Sequence, residues 1–512
     1  MTRSAFFLLL LTLLAGCAIN PVTGQREMAF VGEQQEIAIG REQYEPGRQM
    51  EGGDYRVDPQ LNAYVNEVGQ KLAGVSDRAL PYEFTVLTNS VPNAWALPGG
   101  KIAINRGLLL ELNNEAELAA VLSHEIVHSA ARHGAQRMER GMLMQGALLA
   151  TAVAVADRGS YGGLAVGGAQ LAATLIGQRY SREAELEADY YGMQYMARAG
   201  YDPRSAVSLQ ETFVRLAKGK ESNWLNGLFA SHPPSRERVE ANRRTGQSLP
   251  PGGEIRATRY QEKITYIKKT APAYKAYEKG VLALKKGDAA AALTLADEAK
   301  KIEPREALFH GLRAEALARQ GRYQQALDSC NQALGLNDRF FHFYLQRGQI
   351  REKLGDLAGA RQDLEQSAKL LPTAESYKKL GDMALAANNR TGAKDYYLKA
   401  SSSGSQAGKE AAVSFLRLDL PENPGKHLQL RIEEAKDGSL QLRLTNPTSV
   451  AVEQIQVAAR YRDAAGASHD ISRTHQNVLQ PGGSVAIPLG DTIPGKQKHT
   501  LQAHIVGARV AR

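Results

Sequence analysis

Three kinds of residue return through the middle of the chain at a nearly constant interval. Small residues stand at Gly280, Ala314, Gly348 and Gly381, turn formers at Gly287, Gly321, Gly355 and Asn388, and alanines at Ala292, Ala326, Ala360 and Ala393. The steps are 34, 34 and 33 residues in every series. A period of that length holds two helices and a turn, and one such unit is too small to bury an apolar face alone. Neighbouring units must therefore stack into a solenoid. Because 512 residues exceed what one core supports, the array also implies separate domains before and behind it.

With Pro304 and Pro372 closing two of the units, the pattern resembles the tetratricopeptide repeat. That resemblance implies antiparallel helix pairs packed through their small residues, over 258–405. The Gly- and Pro-rich segment 245–257 reads as a linker in front of it. Behind it the period changes to two, in runs at 427–432, 439–444, 454–461, 484–489 and 499–506, with Asp437-Gly438, Asn446-Pro447 and Pro481-Gly482 as turns between them. An all-β sandwich over 426–512 is expected there. Nothing in it looks catalytic.

The N-terminal end reads as a targeting segment over 1–16: Arg3, an apolar run from Ala5 to Leu14, then Leu14-Ala15-Gly16-Cys17. Ten residues are too few to span a bilayer. The ending resembles the lipobox of bacterial lipoproteins, which implies cleavage before Cys17, acylation of its thiol and attachment to the membrane through the lipid. Ala18 in place of Asp favours, by the same resemblance, the outer membrane and a periplasmic location. Cys330, the other cysteine, falls inside a repeat, so no disulfide within one chain is expected. The Ala- and Gly-rich stretch 142–178 is interrupted by Asp157-Arg158 and reads as buried helices, or as a cover over a site, in preference to a membrane hairpin. A net charge of +9, with basic and acidic residues interleaved, argues against a nucleic-acid partner.

The domain between, 17–244, carries the chemistry. Asp58 and Pro59 ahead of Leu61, Val65, Val68 and Leu72 predict a first helix. Two strands, 83–88 and 101–105, are expected next, joined by an irregular loop. His124-Glu125-Ile126-Val127-His128 is an HExxH motif on a helix opened by Asn114 with Glu117 and stopped by Arg132-His133-Gly134. Four residues of separation put both imidazoles on one helix face, within reach of one metal ion, with Glu125 beside it but not a ligand. Chance supplies about 0.02 such matches in a chain of this composition. A second helix is expected from Ser181 to Gly200, where Glu185 and Asp189 share a face, one carboxylate suited to the metal and the other to a ligand histidine. Glu183 and Glu187 point elsewhere and read as solvated charges.

HExxH, the string Ser181-Arg182-x-x-Glu185-x-Glu187-Ala188-Asp189, the loop Asn93-Ala94-Trp95-Ala96-Leu97-Pro98 and His232-Pro233-Pro234-Ser235-Arg236-Glu237-Arg238 together resemble the zinc metallopeptidase family that includes HtpX and the CAAX prenyl endopeptidases. With the repeats and the lipoprotein signal they resemble its branch of periplasmic β-barrel assembly-enhancing proteases, over about 20–405; the C-terminal β-domain departs from that branch. The resemblance implies a mostly helical α+β zincin-like fold, one zinc ion per chain on His124, His128 and Glu185, Glu125 as general base and Asp189 behind the ligands. It also brings His232 and Arg238 near the site, as stabilisers of the developing oxyanion, or His232 as a fourth ligand that silences the enzyme. An extended polypeptide is expected to pair along the strand at 101–105. The resulting expectation is an endopeptidase of the cell envelope acting on misfolded or stalled proteins. Its repeats would hold a client or an outer-membrane assembly complex. The alternative is a chaperone or adaptor without proteolysis, against which the intact Glu125 argues.

Overall fold

Eighteen residues ahead of the first predicted helix form a helix of their own, α1 (Glu33–Met50), in the computed structural model, which describes residues 17–143, 175–177, 179–218, 227–463, 465–489, 493 and 495–511. The helix escapes detection because its buried face is Glu36, Gly40, Gln43, Tyr44 and Gly47, small or polar residues that make no apolar stripe. It follows a hairpin of β1 (Cys17–Ile19) and β2 (Arg26–Met28). Gly40 and Gly47 exist for close approach: a Cβ on Gly40 would lie 1.9 Å from the Pro98 carbonyl oxygen. Gly99 faces the same contact from the other side, at φ +75°, with its hypothetical Cβ 2.6 Å from Ile37 Cα.

Helix α2 (Pro59–Ala73) starts where Asp58 accepts the N–H groups of Gln60 and Leu61, and it buries the expected stripe. The sheet corrects the expected loop. Between β3 (Glu83–Leu87) and β5 (Lys101–Asn105) the Trp95 segment forms a third strand, β4 (Ala94–Leu97). The order is β3-β5-β4, with β3 parallel and β4 antiparallel to β5. The strand expected to receive a polypeptide, β5, is therefore central and paired on both sides, and β3 and β4 are the edges.

Helix α3 (Glu115–Ala130) carries the histidines. All of its residues are buried, the polar ones included. Asn114 caps the Glu117 N–H, while the Glu117 carboxylate accepts from Asn113 N–H. The expected stop is misplaced: α3 ends at Ala130, Arg132 turns the chain at φ +64°, and a further helix, α4, runs over 133–143 with Gly134 inside it. Helices α5 (Arg182–Arg198), α6 (Ser205–Lys218) and α7 (Arg236–Ser248) follow.

The segment 245–257 is not wholly a linker. Residues 245–248 complete α7, and a short helix begins at Ala257. Tyr260, Ile264, Ile267 and Tyr274 then join the buried cluster that holds Val65, Leu118 and Val127. Glu115, fully buried, accepts from Tyr64 and Tyr201 hydroxyls at 3.0 and 2.9 Å and from the Arg259 guanidinium at 2.9 Å. The first repeat helix thus shares a core with the catalytic helices.

The chain divides into two units, Met1–Pro372 and Thr373–Arg512. In the first, the repeats are the pairs α8 (Thr265–Lys285) with α9 (Ala289–Ile302), α10 (Ala307–Arg319) with α11 (Tyr323–Leu336), and α12 (Phe341–Lys353) with α13 (Leu357–Leu370). The fourth pair, α14 (Ala374–Ala386) with α15 (Arg390–Ser401), begins the second unit. Gly287, Gly321, Gly355 and Asn388 all have positive φ, 84°, 74°, 83° and 59°, which is why glycine or asparagine is needed at each turn. The in-phase alanines are all fully buried.

The second unit continues with α16 (Gln406–Asp419) and six strands: β6 (Gln429–Glu434), β7 (Leu440–Thr445), β8 (Val452–Arg462), β9 (Ser468–His475), β10 (Ser484–Pro488) and β11 (Gln502–Val510). They form two antiparallel sheets, ordered β10-β7-β6 and β11-β8-β9, whose inward residues, among them Leu442, Leu444, Val457 and Ile505, make one buried cluster. Strand β9 was not expected, because only Ile471 of its residues is buried and an exposed edge shows no alternation. Among the described residues no helix is long and apolar enough to cross a membrane. The targeting segment 1–16, and residues 144–174 of the stretch expected as buried helices or a cover, lie outside the described residues.

Close approach at Gly99 gives a test. Gly99→Ala is expected to cost about 2–4 kcal/mol, through overpacking and a left-handed backbone together. Gly24→Ala, also at positive φ but with no neighbour within 4 Å, is expected to cost about 1 kcal/mol. Urea unfolding of the two variants checks the difference.

Candidate metal centre

Helices α3 and α5 approach where Gly192 faces the start of the motif: a Cβ there would lie 3.2 Å from the His124 backbone nitrogen. That approach sets Glu185 and Asp189 of α5 opposite the two histidines. His124 Nδ1 is 3.0 Å from Asp189 Oδ1, and a carboxylate can only accept, so this nitrogen carries the proton. His128 Nδ1 is 2.8 Å from His133 Nδ1, and His133 Nε2 is 3.1 Å from Glu187 Oε1. Glu187 takes the His133 Nε2 proton, which leaves His133 Nδ1 as the acceptor and makes His128 the donor through Nδ1–H.

In their neutral forms His124 and His128 each turn a bare Nε2 inward, and the two nitrogens are 3.0 Å apart. Burial holds His128 well below the ordinary imidazole range, so it stays neutral. Glu185 Oε1 is 3.5 Å from His128 Nε2 and Oε2 is 3.6 Å from His124 Nε2. Burial opposes its charge, but His232 and Arg238 hold Glu185 well below the usual carboxylate range.

Lone pairs and a carboxylate converging in a dry space call for a cation. Donor atoms from His124, His128, Glu185 and His232 lie within 4.8 Å of one another. Two ligands at roughly 2.0–2.1 Å from one tetrahedral ion stand about 3.3 Å apart, close to the spacing of the two nitrogens. Imidazole and carboxylate donors suit zinc, and the residues present fit it.

His232 enters this group from the turn ahead of α7. Its Nδ1 is 2.9 Å from Glu185 Oε1 and 3.2 Å from His124 Nε2. Burial disfavours its charge, but Glu185 and Glu125 raise its pKa above the ordinary value. Glu125 itself is 1% exposed, stands outside the donor set with Oε1 3.6 Å from His232 Nε2, and leaves Oε2 without a hydrogen-bond partner. Burial pushes its carboxyl up.

Arg238 needs a correction. Its Nε and Nη2 donate to Asp189 at 2.7 Å each, and its Nη1 faces Glu185 Oε2 at 2.7 Å. Donors committed to two carboxylates behind the ligands are not free for an oxyanion, so Arg238 orients Asp189 and Glu185. Asp189 stays ionised through the same pair, against its burial. Glu187 is also corrected, from a solvated charge to the partner of His133, whereas Glu183 is exposed. Cys17 lies apart, with its backbone in the β1–β2 hairpin.

Sequence reasoning missed His133, Glu187 and Tyr180, whose ring stacks on His128 at 3.8 Å. The third histidine was visible but was taken for part of a helix stop. Only the left-handed turn at Arg132 folds it back onto His128. His133→Ala is expected to weaken zinc binding roughly 10–100-fold, as loss of such partners does; His133→Asn, which keeps an acceptor, should recover part of it. Chelator competition on the purified chain checks both.

Residues 59–245 match Peptidase family M48, and residues 341–373 match a tetratricopeptide repeat. The beta-barrel assembly-enhancing protease of Escherichia coli (strain K12) is 30% identical over 227 residues, 40% of this chain and 45% of that protein. A counterpart from Vibrio cholerae serotype O1 is 34% identical over 200 residues, 38% of this chain and 41% of its own. A mitochondrial metalloendopeptidase of Schizosaccharomyces pombe is 34% identical over 182 residues, 34% of this chain and 50% of its own. The chain thus spans half or less of the length of these relatives, and the stretch that matches Peptidase family M48 carries the histidines. With HExxH on a buried helix and the Glu185 carboxylate brought to it by α5, residues 59–245 are a domain of peptidase family M48, the zinc metallopeptidases.

Proposed function

We propose that the chain is a zinc-dependent endopeptidase with Glu125 as general base. The observation that carries the reading is an unligated, partner-free carboxylate oxygen of Glu125 beside two inward-facing imidazole nitrogens. A site built only to hold a metal has no use for such a base. Zinc, when bound, supplies Lewis acidity that polarises a peptide carbonyl and acidifies water. Glu125 takes a proton from the attacking water and delivers it to the leaving amine. His124, His128 and Glu185 hold the ion, and Asp189, Arg238 and His133 orient them.

His232 lies among the donor atoms, where it would compete with an arriving carbonyl for the metal. Of the two roles expected for it, its place among the donor atoms favours the inhibitory one, with the site closed at rest. A substrate is best received along β4, whose side away from β5 has no strand partner among the described residues. Backbone pairing of that kind makes specificity loose and suits unfolded chains.

The relatives named for β-barrel assembly enhancement, together with the lipobox-like start, support an outer-membrane lipoprotein facing the periplasm. There it would degrade stalled or misfolded envelope proteins. If Cys17 carries the lipid, the catalytic domain sits close to the bilayer, since Asn20 donates to the Ala131 carbonyl at 2.9 Å and Arg132 pairs with Glu27 at 2.7 Å. The repeats are read as a surface for a client or an assembly complex, and the C-terminal sheets as a β-sandwich.

Zinc-loaded wild type is expected to cleave casein. Glu125→Gln should keep the metal and lose about 10²–10⁴ in rate. His232→Ala is expected to be several-fold faster than wild type. Equal, negligible cleavage by wild type and Glu125→Gln, with zinc bound to both, would favour the adaptor alternative.

A further inference from the structure

A cavity opens beside Glu125 and His232, between α3, α6 and α7. Its walls are Val121, Ala206, Leu209, Phe213 and Leu228, each less than 9% exposed. Phe213 is braced by Phe229, edge to face at 5.8 Å. Two amides break this apolar lining. Gln210 is 6% exposed and Asn242 1%, and Gln210 Oε1 and Asn242 Nδ2 are both buried without a hydrogen-bond partner. Either amide offers a donor and an acceptor whichever way it is turned.

Core packing does not account for this combination. An unsatisfied buried polar group costs about 1–3 kcal/mol, and two of them face one cavity that adjoins the general base. An apolar cavity with a few convergent polar groups is what a ligand site looks like. The ligand that fits has an apolar side chain and, next to it, a peptide N–H and C=O.

We propose that this cavity is the substrate subsite for one of the two residues flanking the scissile bond, selecting an aliphatic or aromatic side chain. Gln210 and Asn242 hydrogen-bond the adjoining peptide groups. The inference rests on the peptidase reading of the same centre and adds its substrate preference. Loose reading of backbone along β4 is thereby combined with one selective position, so cuts fall in apolar segments. Folded proteins bury such segments and unfolded ones expose them.

Cleavage sites in casein, mapped by mass spectrometry for the zinc-loaded full chain, test it. Leu, Ile, Val, Met or Phe should dominate one flanking position for wild type. Leu209→Trp and the milder Ala206→Leu fill the cavity and should shift that position towards Gly and Ala. For a synthetic peptide with Leu there, kcat/KM should fall roughly 10–100-fold, the scale of pocket discrimination. Gln210→Ala and Asn242→Ala remove the amides and should raise KM about 10-fold for Leu and Ala peptides alike. Thermal melting and zinc content show which variants are folded, and the two alanine variants keep the test open if the filled ones are not. Cleavage without preference at either flanking position, or with a preference and KM that no folded variant moves, overturns the subsite alone. Failure of wild type to cut more than Glu125→Gln overturns the peptidase reading and the subsite with it.

Discussion

Two imidazole nitrogens face each other at 3.0 Å, placed to share one positive ion, and much of the catalytic domain serves to hold them so. Each tautomer is fixed from outside: His124 by Asp189, itself gripped by Arg238, and His128 by His133, itself bound to Glu187. These partners come from α5, from α7 and from the turn after α3. The metal site is therefore a property of the packed helices and not of the five-residue motif. Because the donors come from separate helices and meet only in the packed domain, metal binding is coupled to folding.

The same packing ties the catalytic domain to the repeats. Tyr274 of α8 receives the buried Arg106 guanidinium over its ring at 3.6 Å, and Arg106 also contacts Ser90 in the segment that leads to β4. Glu115, at the start of α3, is bonded to Arg259 just ahead of α8. The first repeat helix and the residues just ahead of it are thus tied by polar contacts to the motif helix and to the chain that leads into the edge strand.

What the sequence made legible was what local chemistry dictates. The repeat period, its left-handed turn positions, the HExxH helix with its Asn114 cap and the Glu185–Asp189 face follow from spacing and capping alone. The misses share a cause, since each depends on contacts made by chain far away. Helix α1 buries small and polar residues because the Pro98–Gly99 backbone lies against it. Strand β4 looked like a loop because Asn, Pro and Gly flank only four strand residues. Strand β9 pairs with β8 at a solvated edge. Arg238 could be placed near the site by resemblance, but its donors could be assigned only once Asp189 and Glu185 were seen on either side of it.

The central claim is a single ion among two or three imidazoles and one carboxylate, with no sulfur. X-ray absorption at the zinc edge of the purified full-length chain tests this most directly. The account predicts one zinc per chain, four or five nitrogen and oxygen neighbours near 2.0–2.1 Å, and multiple scattering from at least two imidazoles. A sulfur shell near 2.3 Å, an all-oxygen shell without imidazole scattering, or the absence of stoichiometric zinc would contradict it.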